Sequence, residues 1–254
     1  MSDLAQRLPE LTRGAMDLAE RARVQRAEYT DLPEYYNVRV TEWLLLVAKL
    51  AQQPGLRFGR VLELGCGHGL NLVLWRMLAD DVVGIDLPDE IERSKSFLSA
   101  HGCEGVSTVP TRAEDLTGVE GTFDLIVSQY VLEHVDDVEA VLASCKGRLC
   151  PGGTVLHILN NAVDRLDWFV MYRDEVPPAR RLLAAIRDRG LLGTLRKPVY
   201  TPPHEPKFGD FTAEHAGYRR EAWAQRIISS GWVVVDHFQT RDVNCVLITQ
   251  PLDS

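Results

Sequence analysis

No stretch of the chain approaches the roughly 20 consecutive apolar residues that a membrane-spanning helix requires, so no such helix is expected. The opening residues, Met1-Ser2-Asp3-Leu4-Ala5-Gln6-Arg7, lack the apolar core of a signal peptide. The five cysteines, at 66, 103, 145, 150 and 245, are odd in number and include no C-x-x-C. Reduced thiols in a cytoplasmic protein are therefore expected. Basic charge is also short: the formal net charge is -8, which argues against a phosphate-neutralising surface and a nucleic-acid partner. There is no Gly-Lys-Ser/Thr tripeptide, which excludes a P-loop. What is present is ordinary for a globular protein: 45% hydrophobic and 25% charged residues over 254 positions, enough for one full core with an appended element.

Against that background one stretch stands out, Val61-Leu62-Glu63-Leu64-Gly65-Cys66-Gly67-His68-Gly69-Leu70-Asn71. An apolar run of strand type ends at Gly65, glycines follow at alternate positions, and a run of helical type begins at Leu70. Glycine lets a ligand lie against bare backbone, and a helix N-terminus adds N–H donors. The spacing is not the dinucleotide fingerprint G-x-G-x-x-G, because the third position after Gly67 is Leu70. An acid, Glu63, lies inside the strand. A second strand, Val82-Val83-Gly84-Ile85-Asp86, ends in another, where a carboxylate can accept hydrogen bonds from both hydroxyls of a ribose.

Glu63-x-Gly65-x-Gly67-x-Gly69 followed by a strand-ending Asp86 resembles the class I S-adenosylmethionine-dependent methyltransferases. The resemblance continues in order over residues 60 to 160. Phe123-Asp124-Leu125-Ile126-Val127-Ser128 reads as the fourth strand, and Val131-Leu132-Glu133-His134-Val135 as the start of the helix after it. Leu149-Cys150-Pro151-Gly152-Gly153-Thr154-Val155-Leu156 looks like the turn into the fifth strand. Four ordered elements are far more specific than a lone glycine loop. The expected fold is α/β: a doubly wound, mostly parallel seven-stranded sheet with a C-terminal antiparallel hairpin, N-terminal helices and a helical lid insertion. The expected division is an N-terminal helical cap over 1–55, a cofactor-binding Rossmann-like domain over 56–160 and 216–254, and a lid over 161–215.

Periodicity supports the flanks. Leu4, Leu8, Leu11, Ala15, Leu18 and Ala22 recur at helical spacing, and Tyr36, Val40, Trp43, Leu44, Val47 and Leu50 do so within a helix over 35–52. A helix over 216–230 leads into two strands, Trp232–Phe238 and Asn244–Thr249, close enough to pair antiparallel. Between the fifth strand and that helix the chain has roughly fifty residues more than a short connection needs, a length typical of a lid or binding loop. Residues 161–200 carry eight Lys or Arg against five Asp or Glu, while the whole chain is at -8. A basic amphipathic segment on an acidic protein suits an anionic substrate or a membrane surface, and equally a solvated helix packed on the domain.

The resemblance implies S-adenosylmethionine as cofactor and assigns roles by position. Gly65, Cys66, Gly67 and Gly69 line its methionine part, with Glu63 orienting the loop or reaching the ammonium. Asp86 holds the ribose hydroxyls and Leu87 flanks the adenine. Ala113 and Glu114 meet the adenine edge; Arg112 stands where an acid is frequent. Ser128 and Gln129 lie beside the reacting methyl group, with Tyr130, Tyr218 and Arg219 toward the substrate. A hydroxyl nucleophile needs a proton acceptor; His215 is the first candidate, then His204, then His134, whose other reading is structural. His204, Glu205, Asp210, Glu214 and His215 fit no standard metal spacing, so no metal is expected. Ser128-Gln129-Tyr130-Val131 departs from the Asn/Asp-Pro-Pro-Tyr of adenine-N6 and glutamine methyltransferases. O-methylation of a small molecule, sugar or lipid-linked glycan intermediate leads. N- or C-methylation of a metabolite, and a non-catalytic subunit docking through 161–215, stay open. Oligomeric state is not legible.

Overall fold

The structure, a computed structural model, describes residues 3–24, 35–52, 58–103, 105–160, 220–239 and 244–252. Two helices come first, α1 (Asp3–Val24) and α2 (Tyr35–Leu50). Strands and helices then alternate: β1 (Arg60–Leu64), α3 (Leu70–Arg76), β2 (Asp81–Asp86), α4 (Pro88–Ala100), β3 (Val106–Pro110), β4 (Phe123–Gln129), α5 (Val138–Lys146) and β5 (Leu149–Asn160). Helix α6 (Arg220–Ser229) leads into β6 (Trp232–Gln239) and β7 (Asn244–Pro251). The seven strands form one sheet in the order β3-β2-β1-β4-β5-β7-β6. β1 to β5 pair in parallel, and β7 is antiparallel to both β5 and β6. The expected fold class is the observed one, a Rossmann-like α/β sheet closed by an antiparallel C-terminal hairpin.

Sequence dictates this layering. Val61, Leu62, Leu64, Val82, Ile85, Leu125, Ile126 and Val127 are all buried, so β1, β2 and β4 need cover on both faces, as a parallel sheet does. One face packs under α1 to α4 through Leu72, Leu74, Trp75, Val127 and Leu156. The other packs against α5 and α6 through Phe123, Leu142, Cys145, Trp223 and Ile227. The predicted apolar stripes of α1 and α2 face the first of these cores, with Ala15, Leu18, Val40 and Val47 fully enclosed. Trp43 on α2 meets Trp75 on α3 edge to face, 6.0 Å between ring centroids. Arg7 donates to the Met77 carbonyl oxygen at 2.8 Å, tying α1 to the end of α3.

Two local readings change. The Leu132-Glu133-His134-Val135 segment does not start the helix after β4; it is a turn, and α5 begins at Val138. The reason is the cap: the Asp137 carboxylate accepts the Ala140 N–H at 2.9 Å and sets the helix start. Pro151-Gly152-Gly153 is not a turn ahead of β5 but an irregularity inside it, where Phe123 pairs with Leu149 and Leu125 with Thr154. Gly152 adopts φ 75 there, a left-handed conformation that suits glycine. The proposed lid lies outside the described residues, as do residues 216–219 of the helix expected over 216–230. No helix among the described residues is long and apolar enough to cross a membrane.

Leu18→Ala should lower unfolding free energy by about 2–5 kcal/mol, the usual range for emptying an enclosed leucine site. Urea titration followed by circular dichroism would check it. A loss below about 0.5 kcal/mol would mean that α1 is not docked on the sheet.

Candidate cofactor-binding and active site

Strand order reverses between β1 and β4, because β2 and β3 lie to one side and β5 to the other. A crevice opens at such a switch point, beyond the carboxyl ends of the strands. Here it is a cavity of about 620 Å³, within the range of small-molecule sites.

The loop after β1 forms its floor. Gly65, Gly67 and Gly69 all have positive φ, at 63, 51 and 95. A Cβ on Gly65 would collide with Val131 Cγ2 of the loop after β4, and one on Gly69 would lie 2.7 Å from Ser94 Oγ of α4. Two glycines are thus demanded by close approach as well as by backbone conformation. Asp86, ending β2, fastens the loop: its Oδ2 accepts the Gly67 N–H and its Oδ1 the Leu87 N–H, both at 2.7 Å. A carboxylate has about four acceptor positions, so lone pairs remain to face the cavity that Asp86 lines. Leu87 also lines it and is 52% exposed, an apolar platform beside that acid.

Beside the loop is a partly buried polar relay. Asn71 Nδ2 donates to Glu63 Oε1 at 2.9 Å and to Gln129 Oε1 at 2.7 Å. Glu63 is enclosed, and burial pushes its carboxyl up to about 8; the Asn71 bond opposes this and the Asp86 charge adds to it. His68 is wedged between α2 and α4, with ring centroids 5.9 Å from Tyr36 and 5.2 Å from Phe97. Burial, then the Arg39 and His101 charges, lower its pKa to about 4, so it stays neutral. At the rim, Arg112 reaches Asp136 at 2.9 Å and Glu114 at 3.3 Å, so two carboxylates offset the cation that stands where an acid is frequent.

The cavity wall brings together ten of the residues singled out in the sequence: Gly65, Cys66, Gly67, Asp86, Leu87, Ala113, Glu114, Gln129, Tyr130 and His134. Glu63, Gly69 and Ser128 are placed behind the wall, where Glu63 and Ser128 are buried and Gly69 backs onto α4. His204, His215, Tyr218 and Arg219 lie outside the described residues. Sequence reasoning missed Arg39, His68, Asn71 and Val131, which also line the cavity. Asn71 had a signal, an amide immediately after the glycine loop. Arg39 had none, since on a helical pattern it is one more polar position. Among the described residues no group of three or more His, Cys, Asp or Glu could hold a metal ion.

A glycine loop and a strand-ending carboxylate at the switch point of a parallel sheet define a domain for a nucleoside-containing cofactor. The family described as "Methyltransferase domain" matches residues 34–191, more than half of the chain, and the chain belongs to it, in the class I S-adenosylmethionine-dependent type. A "Ubiquinone biosynthesis O-methyltransferase" of Mesorhizobium japonicum is 39% identical over 94 residues, 37% of this chain and 38% of that one. One from Xanthomonas campestris pv. campestris is 34% identical over 107 residues, 42% of this chain and 45% of that one. The chain thus spans less than half the length of these relatives. Among solved structures, the PH0226 protein from Pyrococcus horikoshii OT3 superposes with a TM-score of 0.59 at 16% identity, covering 88% of this chain and 98% of that one. That likeness speaks for the fold alone.

The raised Glu63 pKa carries a pH signature. The folded state holds its proton up to about 8, whereas the unfolded chain releases it near the ordinary 4.5. Stability from this group is therefore full below 4.5 and lost as pH rises toward 8. Urea unfolding from pH 4.5 to 8 should show the wild type losing stability relative to Glu63→Gln, by at most about 1.4 kcal/mol per pH unit. Parallel curves for the two proteins would show that Glu63 is ionised in the fold.

Proposed function

We propose that the chain transfers the methyl group of S-adenosylmethionine to an oxygen of a small organic molecule. The observation that carries this is the crevice itself: positive-φ glycines at one wall, the Asp86 carboxylate at the next, and Gln129 and Tyr130 across from them, all on one cavity of about 620 Å³. The name of the Mesorhizobium and Xanthomonas relatives supports oxygen as the acceptor.

When bound, the cofactor supplies a sulfonium methyl already activated for in-line displacement. The chain's residues bind and orient. Asp86 accepts from the two ribose hydroxyls, and Leu87 offers the adenine an apolar face. Ala113 and Glu114 border the base edge. Gly65, Cys66 and Gly67 leave room for the amino-acid end, and Gly69 keeps the loop close to α4. Glu63 fixes the loop from below through Asn71 and Gln129, while Ser128 lies buried under the reaction centre. Arg39 is a cation on the cavity wall, suited to the cofactor's carboxylate. Tyr130 faces the acceptor side. His134 is on the wall and exposed, so it can take the proton that the attacking hydroxyl releases. His215 and His204 are the other bases proposed for that step, and Tyr218 and Arg219 the further contacts to an anionic acceptor.

Calorimetric titration should show S-adenosylmethionine binding to the wild type. Asp86→Ala should weaken it by about 10- to 100-fold, the worth of hydrogen bonds to a charged acceptor. Methyl-labelled cofactor incubated with cell extract should then yield labelled methyl ethers or esters. Absence of cofactor binding at millimolar concentration would sink the reading, and label recovered only on nitrogen or carbon would remove the oxygen acceptor.

A further inference from the structure

Three side chains from two distant parts of the sequence meet at the cavity wall. Arg39 and Glu42 are one turn apart on α2, and Tyr130 follows β4. Arg39 Nη1 donates to Glu42 Oε2 at 2.7 Å. The Tyr130 hydroxyl donates to Glu42 Oε1 at 3.1 Å. The Arg39 guanidinium carbon stands 4.6 Å above the centre of the Tyr130 ring, within cation–π range. Glu42 is only 8% exposed, so these contacts form away from competing water.

Tyr130 holds this position at a conformational cost. It is the only described non-glycine residue with positive φ, at 56. A bulky side chain in the left-handed region is strained. Strain at a cavity wall persists only where surrounding contacts over-determine it, and the contacts to α2 add to the hydrogen bond from the Tyr130 N–H to the Ile158 carbonyl oxygen on β5 at 2.8 Å. Burial, then the Glu42 charge, raise the Tyr130 phenol well above its ordinary range, so the hydroxyl remains a donor.

The geometry points to Glu42 and Tyr130 as positioning residues that hold the Arg39 guanidinium at the cavity, so that the site selects cofactors carrying a carboxylate at the amino-acid end. This rests on the cofactor reading above. Glu42 fixes one edge of the planar fork and Tyr130 its face, which leaves the guanidinium little rotation. The order lost on binding a carboxylate is thereby reduced. Glu42 is itself an anion, and removing it would by charge alone strengthen carboxylate binding. Orientation and charge therefore predict opposite signs, and the experiment separates them.

The full-length protein would be titrated with S-adenosylmethionine and with its decarboxylated analogue, which keeps the adenosine, sulfonium and amine. The ratio of the two Kd values reports the carboxylate alone. The wild type should favour the carboxylated ligand by about 10- to 100-fold, and Arg39→Met should bring the ratio close to one. Glu42→Gln and Tyr130→Gly should each reduce it by about fivefold or more, and Glu42→Gln, which lies off the cavity lining, should hold affinity for the decarboxylated analogue within about twofold. Glycine suits the backbone at 130, so that variant removes the platform without adding strain. Arg39→Met/Glu42→Gln should match Arg39→Met alone, because Glu42 acts through Arg39. A higher ratio in Glu42→Gln would overturn the proposal and make Glu42 a competing anion. Equal weakening of both ligands, or an unchanged ratio, would also overturn it. A wild type that binds both ligands equally would sink Arg39 and this proposal while leaving the Asp86-based cofactor reading intact; binding of neither would sink both.

Discussion

The central strands of the sheet are covered on both faces, and this decides where chemistry can occur. β1, β2 and β4 are buried nearly throughout, so polar groups on them need internal partners or must sit at strand ends. Asp86 and Gln129 close β2 and β4, and Gly65 follows the end of β1. The reversal of strand order parts the connections at that edge and makes room for a ligand. The cavity and the loop after β4 both take their places from this edge.

Glu63 is the exception within the strands, and it shows how the rule is kept. Its carboxyl is enclosed and shifted toward the neutral form, with Asn71 donating to it. A neutral carboxyl costs far less to bury than an ionised one. The same Asn71 amide reaches Gln129, so the start of α3 and the end of β4 are joined at the cavity wall. The loop therefore depends on two carboxylates in different places. Asp86 binds backbone N–H groups at its edge, and Glu63 sits under it.

What could be read from the sequence follows from how local each signal is. The glycine loop, Asp86 and the alternating elements are encoded by neighbouring residues, and periodicity exposed the buried stripes of α1 and α2. The Leu132–Val135 turn differs from the helix start that the family resemblance implies, because the decisive cap, Asp137, comes after it. The irregularity at Gly152 depends on pairing with β4, which no local pattern carries. Arg39, Glu42 and Tyr130 were out of reach for the same reason. Tyr130 and Glu42 are 88 positions apart, and only the packing of α2 across the crevice joins them.

The place of β7 has a kinetic meaning. It lies between β5 and β6 although it follows both in the chain. Until it arrives, β6 has no neighbour and β5 has a bare edge. Val233 and Val235 remain exposed on β6 even in the finished sheet. A chain whose β7 is unpaired would present the bare edge of β5, an unpaired β6 and an apolar strip, the features that invite association between chains. The last strand described acts as a keystone: the sheet stays open on that side until it is inserted.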